Sequence, residues 1–178
     1  MLAKLHLSRR QVLLTSLETA GTLVLIQNLE GVAMSDQTKP MPPKPPALSL
    51  DRVKEFVTAA HANFDRVKSL LAEEPALLNA SWDWGGGDFE TALGATGHMG
   101  RRDIALFLLE KGARMDIFVA VMLGELKLVH ATLEAYPNLL HSLGPHGIPI
   151  MAHAKAGGDS AKAVLDYLHT LHPEKERE

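Results

Sequence analysis

The sequence predicts an all-α protein, a short α-solenoid of about four helix-turn-helix units. Three observations predict it. One motif recurs four times, around residues 58–67, 96–105, 120–129 and 153–157: two small residues, two variable ones, then Gly100, Gly124 or Gly157 (Ala62 in the first copy), with an apolar helical stretch after it. Helix formers (Ala, Leu, Glu, Lys) dominate after residue 50, while aromatics make up only 5% of the chain. One such unit cannot bury its own apolar face, so the copies must stack to close a core. At 178 residues the chain is long enough for one domain with a sizeable core.

The first 33 residues read as an export signal. The start is basic and carries Arg9 and Arg10, and a moderately apolar run extends from Val12 to Val32. Gly31-Val32-Ala33 offers small residues for cleavage. The run Ser8-Arg9-Arg10-Gln11-Val12-Leu13 resembles a twin-arginine export signal, a route that carries folded proteins and implies a periplasmic or other extracytoplasmic location. Glu18 interrupts the apolar run, and an uncleaved amphipathic helix, leaving a cytoplasmic or membrane-associated protein, is the alternative. Glu18, Gln27, Asn28 and Glu30 also argue against a stable membrane span.

Residues 34–50 follow as a linker. Pro40, Pro42, Pro43, Pro45 and Pro46 fix φ and remove donors, which favours an extended spacer. The repeat domain is expected over residues 51–170, and residues 171–178 form a charged tail. In the first unit, Pro75 ends the second helix, and Pro137 repeats that role in the third. The insertion Ser81–Glu90, with Trp82, Trp84, Phe89 and a triple glycine, makes an enlarged finger ahead of the second unit. That second unit is the most regular. Thr91 is placed to cap its first helix, Gly100 to end it in the left-handed region, and Ile104, Phe107 and Leu108 form the stripe of its second helix. Gly112 is the stop. Between the second and third units Asp116 runs almost directly into the next helix, so that finger is lost. The fourth unit starts at Pro149-Ile150 and turns at Gly157.

Thr91, Leu93 and Gly112-Ala113 make the second unit resemble an ankyrin repeat, whose units of about 33 residues each hold a β-turn and two antiparallel helices. The resemblance covers residues 51–168. It implies a binding scaffold in which the variable residues before the inter-helix glycine face a concave groove. By position these are Ala60 and His61, His98 and Met99, Met122 and Leu123, and Lys155 and Ala156. Insertions on one face of such arrays often bind. The expected function is therefore recognition of a partner protein, with His61, Trp82, Trp84, Phe89, His98, Met99, Met122, Leu123 and Lys155 as candidate contacts. Trp82 is expected to plug the core and Trp84 to bind.

Other chemistry is weighed against this. The net charge of −3 gives no field for nucleic acid, and the absence of cysteine excludes disulfides and thiolate sites. Gly94-Ala-Thr-Gly-His-Met-Gly100 resembles a dinucleotide-binding glycine loop, but no buried strand precedes it. His141, His146, His153, His169 and His172 lack a recognised metal-ligand spacing; His153 reads as a hydrogen-bonded core residue and His146 as a turn residue. No nucleophile elbow or phosphate loop is present. The expectation is a monomer with no catalysis, cofactor or metal. The alternative is a small-ligand- or metal-binding protein, or a small enzyme, with a pocket under the Trp82–Phe89 finger, over His98 and His153.

Overall fold

Apolar spacing at Val53, Phe56, Val57 and Ala60 puts one buried stripe on the first helix, α1 (Leu50–Ala60). A computed structural model describes residues 44–171, and all its helices and strands lie in the unit that runs from residue 45. Arg9, Arg10 and the rest of the expected export signal, most of the proline-rich linker and nearly all of the expected charged tail lie outside the described residues. Asn63 caps α2 (Phe64–Glu73) by accepting from the Arg66 N–H at 3.0 Å. The chain then tightens into a 3-10 turn, Pro75–Asn79, whose Leu77 is fully buried. An equivalent turn at Pro137–His141 follows α6 (Leu126–Ala135), so both prolines end helices as the sequence predicts.

The finger departs from an all-α chain. It is a two-stranded antiparallel hairpin, β1 (Ser81–Asp83) and β2 (Phe89–Thr91), with Trp82 opposite Glu90. Gly85, Gly86 and Gly87 all take positive φ at its tip, where Asp83 Oδ1 accepts from the Gly85 and Gly87 N–H groups. Thr91 then caps α3 (Ala92–Met99) through its hydroxyl, and Gly100 ends that helix at φ 65°. α4 (Arg102–Glu110), α5 (Ile117–Leu123), α7 (Ile150–Ala156) and α8 (Lys162–Leu171) complete the helices, with Asp116 capping α5. Among the described residues, no helix is long and apolar enough to cross a membrane.

The odd-numbered helices pack successively, α1 on α3, α3 on α5 and α5 on α7, and each also packs on the helix that follows it. Small residues make this close approach possible. A Cβ on Gly97 would lie 3.2 Å from the His153 ring and 3.4 Å from Val119. The glycine-rich run is therefore the interior of α3, and it has no free helix start to offer a pyrophosphate. Two clusters form the core: one draws on α1 to α5, the other on α5 to α8.

Met122 and Leu123 correct the sequence expectation. They were placed on an exposed groove, but they are 1% and 4% exposed. The physical reason is that α5 is the middle of the series, covered by α3 on one side and α7 on the other. Its residues Val119–Leu123 are all buried, and Met122 and Leu123 belong to the same core cluster as Ile104 and Leu108.

Candidate metal centre

Four elements, from three regions of the chain, bring polar side chains to one place. His61 follows the end of α1, Glu90 is the middle residue of β2, His98 is near the end of α3, and His146 lies in the turn before α7. One ligand atom from each of the four lies within 4.8 Å of all the others. Glu90 is the hub, with its side chain fully buried. His98 Nε2 donates to its Oε1 at 2.9 Å, and Trp84 Nε1 donates to Oε2 at 2.8 Å. His61 Nε2 and His146 Nε2 each lie 3.5 Å from Oε2.

Burial pushes the Glu90 carboxyl up, but hydrogen bonds from His98 and Trp84 and the charges of His61 and His98 outweigh it. The group is held below its ordinary value and stays anionic. The β-hairpin pairs Trp82 with Glu90, which puts these two side chains on the same face of the hairpin, with Trp84 two residues on from Trp82.

Two of the imidazoles are oriented from behind. His61 Nδ1 lies 3.1 Å from the Val57 carbonyl, which can only accept, so Nδ1 carries the proton and Nε2 faces Glu90 with a lone pair when the ring is neutral. His146 Nδ1 donates to Asp88 Oδ2 at 2.8 Å, and the His146 N–H donates to Asp88 Oδ1 at 2.9 Å. That backbone hydrogen bond, more than the side-chain bond, holds the Asp88 carboxyl below the usual range. His146 takes φ 60°, uncommon for a residue with a side chain, and the paired bonds to Asp88 hold it there. A ring whose far nitrogen is fixed by a carbonyl or carboxylate is the arrangement of metal-ligating histidines.

The spacing between the carboxylate and the imidazole nitrogens is close to that of a tetrahedral site, within a cluster whose ligand atoms lie within 4.8 Å of one another. Bonds of about 2.0–2.1 Å at a tetrahedral angle place donor atoms roughly 3.3 Å apart. The nitrogen-to-carboxylate distances here run from 2.9 to 3.5 Å. Three imidazoles and one carboxylate suit zinc and other divalent first-row transition ions. His61 and His146 are 24% and 33% exposed, so an ion would meet solvent on their side.

The other sequence candidates divide clearly. Trp84 walls the cluster, its ring centroid 5.7 Å from that of His146 and 6.1 Å from that of His61. Trp82 packs half-buried on the first core cluster, with Lys54 Nζ 5.4 Å from its ring centroid. Phe89, Met99 and Lys155 are exposed, and none belongs to the cluster. His153 is fully buried, and its Nδ1 donates to the Pro149 carbonyl at 3.1 Å, as a core histidine should. Glu90 and Asp88 are the residues of this candidate site that the sequence did not single out. Compared with known proteins, the chain matches no family model, no curated protein and no solved structure.

Proposed function

We propose that this chain binds one divalent transition-metal ion through His61, His98, His146 and Glu90, on a short solenoid of four ankyrin-like units. The observation that carries it is the convergence of three imidazoles on one buried carboxylate, with two of the rings held by Val57 and Asp88. Successive packing of the odd-numbered helices and the left-handed caps at Gly100 and Gly124 support the ankyrin-like frame. The frame supplies rigidity, and the finger delivers Glu90 and the Trp84 donor. Metal binding requires the imidazoles to be unprotonated, so affinity falls as pH falls and binding releases protons.

Zinc titrated into the metal-free full chain by calorimetry should bind once per chain. His61→Ala, His98→Ala, His146→Ala and Glu90→Gln should each weaken binding on the order of 100-fold, with helical circular dichroism preserved. Zinc binding that is absent, or indifferent to all four substitutions, would overturn the proposal.

Recognition of a protein partner is a second reading, supported by the exposed apolar side chains of Phe89 and Met99. Capture of one extracytoplasmic protein by the full chain, lost in Phe89→Ala/Met99→Ala, would favour it. Export by the twin-arginine route belongs to the same proposal, and N-terminal sequencing of the protein recovered from that compartment tests it.

A further inference from the structure

Beside the metal cluster lies a cavity of about 350 Å³, whose lining includes Asp88, Thr91, Asp116, Phe118, Leu143 and Pro145. It shares its walls with the cluster. Thr91 follows Glu90 in the chain, Pro145 precedes His146, and Asp88 is the carboxylate that receives His146 Nδ1.

The polar groups at this cavity are mostly acceptors. No lysine or arginine lines it, whereas two carboxylates do. Asp116 makes no ion pair among the described residues; its Oδ1 accepts from the Val119 N–H at 2.8 Å. A third acceptor stands behind the wall at Gly144. A Cβ there would sit 3.0 Å from His153 Cε1 and 3.3 Å from His153 Nε2. With Nδ1 donating to Pro149, His153 Nε2 is a bare, fully buried acceptor with no partner. Burial pushes the Asp116 carboxyl up against the pull of the Val119 and Phe118 N–H groups and of His153. Burial pushes the His153 imidazole down. The Asp116 carboxylate thus carries a desolvation cost that a cation brought into the cavity would relieve. The remaining walls are apolar, with Phe118 inside and Phe89 and Leu143 exposed at the rim.

We propose that this cavity binds a small organic cation, a protonated amine on an apolar body, with its ammonium directed to Asp116 and Asp88 and its body against Phe118. The aromatic wall adds attraction for the cation. The cavity stands without the metal; only its coupling to the metal rests on the metal-binding reading. A cation at Asp88 competes for the carboxylate that orients His146, and it also repels a divalent ion nearby. Amine and zinc therefore weaken each other's binding, each by the same factor.

The test is calorimetry on the full chain in chelator, so that direct coordination to a metal plays no part. 2-Phenylethylammonium is compared with 2-phenylethanol and 3-phenylpropionate, which carry neutral and anionic groups on a similar body. The ammonium should bind once per chain and the other two much more weakly. Asp116→Asn should cost about tenfold or more in affinity. Asparagine caps a helix as well as aspartate does, so this variant keeps α5 and its melting temperature. Phe118→Ala should weaken the same probe. Three probes binding alike, no binding of the ammonium, or binding untouched by Asp116→Asn would overturn the proposal. Repeating the titration with zinc separates the two readings. Zinc that binds but leaves amine affinity unchanged overturns the coupling, whereas amine binding by a chain that takes no zinc overturns the metal reading and supports the cavity.

Discussion

Glu90 shows how one residue can bear the cost of a site. A carboxylate without solvent contact would ordinarily be driven to its neutral form. Here Trp84 and His98 donate to it and His61 adds charge, so the folded state holds it ionised. Its folded value lies below the unfolded one. The stability it contributes is therefore present above the ordinary carboxylate range and is lost as pH falls through the folded value. Metal-free protein should lose urea resistance on acidification, and Glu90→Gln should flatten that loss. An equally steep acid dependence in the variant would contradict this account of Glu90. Little of it was legible beforehand. Glu90 reads as one polar residue in an insertion, and nothing local marks it as buried. Asp88 and His146 are 58 residues apart, and only the folded chain pairs them. His61 and His98 were legible as surface candidates through their position before the inter-helix turn, but the carboxylate that unites them was not.

At the scale of the element, turn chemistry was the most legible feature. Thr91 caps α3, and Gly100, Gly112 and Gly124 all take positive φ near helix ends. Gly157 does not; it has φ −72°, and the left-handed residue is Gly158. Its lack of a side chain serves packing instead, since a Cβ would lie 2.1 Å from the Met122 carbonyl oxygen. The finger's strands escaped notice because each is three residues long, too short for an alternating pattern to stand out beside three glycines. The glycines also allow a graded test. At Gly112 an added Cβ meets nothing within 4 Å, so Gly112→Ala should cost only the left-handed strain, about 1–2 kcal/mol. At Gly124 the Cβ would fall 1.9 Å from the Ser160 carbonyl oxygen, so Gly124→Ala should cost clearly more. Gly100→Val should be comparably severe, its Cβ falling 2.4 Å from the Ala156 carbonyl oxygen. Urea midpoints of the three variants measure the order, and equal losses at Gly112 and Gly124 would contradict the close approach.

For the whole molecule, the helical class and the order of the helices followed from periodicity and punctuation, which are local. The candidate site did not, because its four side chains meet only when α1, the finger with α3, and the turn before α7 are in place. Packing explains why the expected groove failed at Met122 and Leu123: a helix flanked on both sides has no free face, whatever its position in the motif suggests. A metal would tie the same elements together, so the centre reports on the fold as well as on function. The most direct test is the zinc-edge X-ray absorption spectrum of the full chain loaded with one equivalent of zinc. The account predicts nitrogen and oxygen donors at about 2.0–2.1 Å with the outer-shell scattering of three imidazoles, one of which disappears in His98→Ala. A spectrum of hydrated zinc, or one unchanged by His98→Ala, would contradict it.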